Sequence, residues 1–400
     1  MRTLSAFSLT LPVALFLVAC SSGDTEGSGG AGGSPAPTGF RKPAADKGIQ
    51  LALKSKIAAG KEVHVCREFV LPGDGALEIA WMEHQYPTGG HHVLAYRSST
   101  PAAGVSPDVF DCGNVAGPLF YEAQEETKST VFPAGVGVKL AKGEVVRLEL
   151  HYLNTTSAEA EPEAKLNLWF AEEKLTTEVG SFFMYDRDIA IPAHGKATTK
   201  MHCEIPADIS IISILPHVHI RGTAERIYIS GKGLDKPKLI VTSKGYDDLE
   251  TRSFKDAPIV VKAGQALDYE CDYQNDTDQG IVEGFSKTAN EMCMILGDYY
   301  PRLPPEAEWC TMVGSGTVHE GTLSCVEALS CIQAKMGDDN FEGQMCFVDV
   351  CAPSSKALND MTNCGFNKCP KECPGPGCGD CVALKCFAEY GICQAATCTP

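Results

Sequence analysis

Between residues 40 and 312, hydrophobic and polar positions alternate in short runs. Val, Ile, Leu and Tyr recur at every second place, and Gly, Pro, Asn and Asp separate the runs. The pattern predicts strands at residues 76–82, 93–97, 144–153, 209–220 and 226–230. Few segments keep a helical apolar period for long. Roughly 270 residues of such strands predict an all-β fold of two tandem antiparallel β-sandwich (jelly-roll-like) domains, about 130 residues each. The expected division is 46–178 and 179–312, with the junction near 175–182.

Both ends of the chain break this pattern. Residues 1–20 read as an export signal: Arg2 gives the positive start, and an apolar stretch follows. It ends in Leu17-Val18-Ala19-Cys20, which resembles a bacterial lipobox with Cys20 as the lipidated residue. Ordinary signal cleavage with Cys20 as a bystander is the other reading. The Gly/Ser/Pro-rich segment after it, within residues 21–45, favours lipidation, because it cannot pack a core and suits a tether. The expectation is an exported protein, lipid-anchored to the bacterial cell envelope. At the other end, residues 313–400 hold 12 of the 19 cysteines, the composition of a small disulfide-stapled region. Six more lie in 40–312, so each region can pair its own. A zinc ribbon at Cys378-x2-Cys381 is the alternative; in an exported chain disulfides are preferred.

The chain has 400 residues, 44% of them hydrophobic, and a net charge of -17. That charge argues against a nucleic-acid partner and against adsorption to anionic lipid. After the N-terminus no apolar run reaches the roughly 18 residues of a spanning helix.

Five of the ten histidines have unusual settings. His91-His92 precedes a predicted strand. His151 lies within 144–153, on the face opposite Val146, Leu148, Leu150 and Tyr152. His217 and His219 form an H-x-H pair in 209–220, which sets two imidazoles on one face. His91 and His92 would diverge in a regular strand. They can share an ion only at a strand end or bulge, which Gly89-Gly90 permits. Each feature alone is a weak signal, since a lone strand histidine is more often solvated than a ligand.

Five blocks, in order, resemble the copper type II, ascorbate-dependent monooxygenases, the family of peptidylglycine α-hydroxylating monooxygenase and dopamine β-monooxygenase. They are Gly90-His91-His92-Val93-Leu94, Phe132-Pro133-Ala134-Gly135-Val136-Gly137, Leu148-Glu149-Leu150-His151-Tyr152, Leu215-Pro216-His217-Val218-His219-Ile220 and Asn290-Glu291-Met292-Cys293. The resemblance covers roughly residues 55–312. It implies two copper ions per chain, one on each sandwich, facing each other across an open cleft. His91, His92 and His151 would hold the electron-transfer copper. His217, His219 and Met292 would hold the oxygen-activating copper and so carry catalysis. It also implies the disulfides Cys66–Cys112, Cys203–Cys310 and Cys271–Cys293. The implied reaction hydroxylates a C–H bond of a small-molecule substrate with O2. Ascorbate or another one-electron reductant supplies the electrons.

In the peptide-hydroxylating relatives, an Arg, an Asn and a Tyr near the second copper hold a substrate carboxylate. The matching positions here are Leu215, Met294 and Leu296, so the expected pocket wall is apolar. Two other readings stand beside the enzyme. One is a copper-binding or storage lipoprotein without hydroxylase activity. The other is a surface interaction module whose working part is the cysteine-rich region.

Overall fold

The computed structural model describes residues 40–73, 75–113, 117–304, 316–335, 340–369, 371 and 377–398. The export signal, Cys20, most of the following linker and Cys310 lie outside the described residues.

Two β-sandwiches follow one another. In the first, a five-stranded sheet runs in the order Phe110–Asp111, Glu62–Val70, Val145–Leu153, Gly90–Ser98, Leu119–Ala123. Facing it is a sheet containing Gly48–Lys54, Glu163–Phe170, Leu77–Gln85 and Val136–Leu140. Alternation decides what lies between them. Val146, Leu148, Leu150 and Tyr152 point inward and meet Ile79, Met82, Leu166 and Leu168. His151 therefore faces away from this core, yet it is fully buried, with the rings of His64, His91 and His92 packed against it.

In the second sandwich, Ser213–Val218 and Gly180–Asp186 flank Cys293–Tyr300 in one sheet. Lys196–Glu204, Gln265–Gln274, Gly222–Gly231 and Lys238–Ser243 form the other. The core between them includes Ile214, Val218, Ile227, Leu267, Tyr269 and Ile295. The strand expected at 209–220 is two, Ile209–Ile211 and Ser213–Val218. Between them Ile212 turns to the core of the first sandwich. Ile220 lies in a turn and is 43% exposed instead of continuing an apolar face.

Cys66–Cys112 and Cys271–Cys293 are disulfides. The second ties the two sheets of its sandwich beside Met292. Cys203 is also disulfide-bonded.

The sandwiches share one packing device. Asn154 and Asn275 each follow a long central strand and are fully buried. The Asn154 amide nitrogen donates to the carbonyls of Ile57, Ala58 and Ala158; that of Asn275 donates to those of Ile191, Pro192 and Gln279. Each side-chain oxygen accepts from the backbone and the hydroxyl of the threonine two residues on, Thr156 or Thr277.

Where the sandwiches meet, Leu94, Tyr96 and Leu119 of the first pack against Tyr185, Leu215, Met292, Met294 and Leu296 of the second. Each large apolar side chain removed from water there contributes about 1.5–3 kcal/mol. Polar ties cross the same seam. Lys128 Nζ donates to Thr251 Oγ1 at 2.9 Å, and Arg302 reaches Glu178 at 2.7 Å.

The cysteine-rich region is helical, which strand periodicity could not foretell. Its helices are Cys325–Lys335, Asn340–Val348, Ala352–Lys368, Cys378–Lys385 and Phe387–Ala395. Disulfides Cys325–Cys393, Cys331–Cys346, Cys351–Cys398, Cys364–Cys386 and Cys369–Cys381 staple it. Cys378 is also disulfide-bonded, so Cys378 and Cys381 offer no thiolates to zinc. Buried His319 joins this region to the second sandwich. Its Nδ1 is 2.8 Å from Ser355 Oγ, and its Nε2 is 3.4 Å from Asp188.

Candidate metal centre

Six histidines of the two facing sheets form one cluster. Strand pairing builds the first half. Register sets His64 opposite His151 and His151 opposite His92, across three adjacent strands. One ring nitrogen from each of these three lies within 4.8 Å of the others. The second half comes from His217, near the end of Ser213–Val218, and His219 just past it. With His91 they form another group, again with donor nitrogens within 4.8 Å.

A bulge separates His91 from its neighbour. The register of Gly90–Ser98 shifts between Gly90 and His92. The glycines are required there: a Cβ on Gly90 would meet the Tyr86 ring at 2.3 Å, and Gly89 has φ +99°. The bulge places His91 between the two halves, its ring centroid 5.0 Å from His151, 5.2 Å from His217 and 5.5 Å from His219. The expected open cleft is therefore closed, and the expected triad of His91, His92 and His151 is regrouped. Sandwich–sandwich packing brings His91 as near to the second half as to the first.

Met292 directly precedes Cys293–Tyr300, whose register sets His217 opposite Met294 and Val218 opposite Cys293. Its side chain is buried in the apolar seam with Leu215, Met294 and Leu296. These residues form an apolar wall beside the H-x-H pair.

Outer partners fix the rings. Gln124 of the first sandwich accepts from His217 Nδ1 at 2.7 Å and donates to the Pro216 carbonyl at 2.9 Å. His219 Nδ1 donates to the Asn290 carbonyl at 3.3 Å. Glu291 accepts from the backbone N–H groups of His219 and Arg221 and holds that turn. Glu62 lies 2.9 Å from His151 Nε2 and also accepts from Ser286 and the Lys287 N–H. Glu149 Oε1 lies 3.1 Å from His64 Nδ1 and 3.5 Å from His92 Nε2. A carboxylate or carbonyl behind an imidazole is the usual way to aim its other nitrogen at a metal.

Those other nitrogens are the decisive chemistry. Nε2 of His64, His91, His217 and His219, and Nδ1 of His151, are buried with no hydrogen-bond partner among the described residues. Burial, reinforced by neighbouring imidazoles, holds His91, His151 and His217 well below the usual histidine range. Burial also takes His219 down to about 3. His91, His151, His217 and His219 are thus neutral, with free lone pairs. Burial alone would raise the Glu149 carboxyl; hydrogen bonds from His64 and His92 outweigh it and bring it down to about 2. Neutral imidazoles converging in a dry site fit copper. Water reaches the edge of the cluster through a cavity of about 300 Å³ lined by His91, Gln124, Glu125, Tyr246, Asp247 and Lys287 among others.

His64 was not foreseen from the sequence. It sits on the polar phase of Glu62–Val70, where a single histidine carries no signal until the register with His151 is known.

Residues 178–321 match the family described as copper type II ascorbate-dependent monooxygenase, C-terminal domain. The chain is similar to mouse DBH-like monooxygenase protein 2, 26% identical over 248 residues, covering 53% of this chain and 38% of that protein. It is likewise similar to the human putative DBH-like monooxygenase protein 2, 26% identical over 239 residues, covering 53% of this chain and 47% of that protein. The chain thus spans less than half the length of these relatives. Among solved structures, the major capsid protein P2 of bacteriophage PM2 aligns with a TM-score of 0.28 at 10% identity, covering 62% of this chain and 97% of that one.

Proposed function

We propose that the chain, whose residues 178–321 match the C-terminal domain of the copper type II, ascorbate-dependent monooxygenases, is a copper-dependent monooxygenase. It would hydroxylate a C–H bond of a small organic substrate with O2 and a one-electron reductant such as ascorbate. The observation that carries this reading is the set of five buried, unpartnered imidazole nitrogens at the sandwich junction. Leaving such groups unpaired costs about 1–3 kcal/mol each, a cost that metal binding removes.

Bound copper supplies the one-electron chemistry that activates O2. The chain's own residues hold and orient. His217 and His219, with the soft thioether of Met292, suit Cu(I) on the second sandwich. His92 and His151, with His91 beside them, serve the first. Gln124 and Asn290 fix the second pair through Nδ1, while Glu62 and Glu149 fix the first. Leu215, Met294 and Leu296 keep water from the space beside Met292.

The test is oxygen consumption by the copper-loaded, full-length protein with ascorbate, with product formation measured against a panel of small C–H substrates. Product in step with oxygen supports the enzyme. Tight copper binding with no product from any compound would favour the storage reading, which a dense histidine cluster also suits. The reading extends to an exported protein anchored through a lipid on Cys20. Incorporation of labelled palmitate, lost in Cys20→Ser, tests that part.

A further inference from the structure

We propose that His64 is a metal ligand, and that the donor set of the first sandwich is His64, His92 and His151. The inference rests on the copper reading above and changes which residues serve it. Three observations carry it.

The first is register. His64, His151 and His92 occupy adjacent strands in a row, each opposite the next. Side chains paired this way stand on one face about 5 Å apart. One ring nitrogen of each lies within 4.8 Å of the others, a grouping that could hold one ion.

The second is orientation. His64 Nδ1 is engaged by Glu149, which leaves Nε2 buried and unpartnered. His151 is set up in the mirror sense: Nε2 is engaged by Glu62 and Nδ1 is left over. One carboxylate, Glu149, reaches both His64 and His92. A carboxylate buried between two imidazoles does what the outer partner of a metal-bound histidine does.

The third is that His91 has another place. The bulge lifts it out of the row, and its donor falls with those of His217 and His219.

A packing role alone would leave metal affinity indifferent to His64. Its ring stacks on His151 with centroids 3.7 Å apart, and a phenyl ring in its place would keep that stack without the nitrogen. The experiment therefore uses full-length protein carrying His217→Ala and His219→Ala, so that only the first site remains, loaded with Cu(II). His64→Phe in this background should weaken copper by more than the roughly 10–100-fold expected of an outer partner, and His91→Phe by much less. Pulsed EPR should count one fewer coordinated imidazole in His64→Phe and the same number in His91→Phe. His64→Gln should behave as His64→Phe does, and thermal unfolding checks that each variant folds. Unchanged affinity and imidazole count in both His64 variants would overturn the proposal while leaving the copper reading intact. A wild-type chain that binds no copper would overturn both.

Discussion

The imidazoles of His91 and His217 lie with ring centroids 5.2 Å apart, although one belongs to each sandwich. The two candidate metal groups are therefore neighbours in one continuous cluster. Gln124 fixes the approach: it leaves the first sandwich and binds both His217 Nδ1 and the Pro216 carbonyl of the second. One side chain thereby sets a ring orientation and joins the two halves.

Gln124→Ala should remove both effects. Copper at the second site is expected to weaken by about 10–100-fold, and Gln124→Glu, which keeps an acceptor for His217, to recover most of it. Copper titration in a His151→Ala background isolates that site. Equal affinities in Gln124→Ala and wild type would mean that His217 is oriented by its strand alone.

Metal analysis should find two coppers in the mature protein. His151→Ala should lose the first and slow electron delivery. Met292→Ile conserves volume and hydrophobicity in the seam, so the fold should stand at a cost below about 1.5 kcal/mol. It should nonetheless weaken Cu(I) at the second site and abolish oxygen chemistry. Fewer than two coppers in wild type at saturation would end the two-site account.

His84 gives the fold a pH dependence separate from the candidate ligands. It is buried in the first sandwich, 2.7 Å from the Tyr121 hydroxyl and 2.6 Å from the Glu125 carbonyl. Burial takes it down to about 4, against the hydrogen bond to Glu125, which raises it. With the folded value below the unfolded one, its contribution is present above about pH 6.5 and is lost as pH falls toward 4. The full loss is on the order of 3 kcal/mol. Urea midpoints of the copper-free protein should fall over that window, and less steeply in His84→Gln. Comparing the two chains cancels the other groups, including Asp186, Glu283 and Glu291, each raised by burial to about 7 and acting in the opposite sense. Parallel curves would place the pH dependence elsewhere.

Much of the architecture is legible in the sequence because strand alternation is local. The phase of 144–153 is enough to set His151 on the face opposite the core residues. The H-x-H pair and the Gly89-Gly90 bulge are legible for the same reason. What alternation cannot give is register between distant strands. His64 and His151 are far apart in sequence, and only their pairing makes a donor of His64. Nor does it give rigid-body packing, which closes the cleft and carries His91 toward His217. The helices of the last segment escape because their buried cysteines obey disulfide geometry more than an apolar period.

The apolar wall makes a substrate prediction. Leu215, Met294 and Leu296 offer no cation, and a carboxylate buried beside them unpaired would cost several kcal/mol. Glycine-extended peptides should be poor substrates, and neutral or aromatic small molecules with an activated C–H bond better ones. Efficient hydroxylation of the peptides, lost when their carboxylate is amidated, would refute this.

The buried asparagines bear on how the protein can be produced. Asn154-Thr155-Thr156 and Asn275-Asp276-Thr277 are both acceptor triplets for N-linked glycans. In the folded chain each amide nitrogen is enclosed and donates to carbonyls on three sides. A sugar attached there during synthesis would occupy the space those carbonyls fill, and neither sandwich could close around it. A eukaryotic secretory host would then set its glycosylation machinery in competition with folding at two places, whereas a host without that machinery would not.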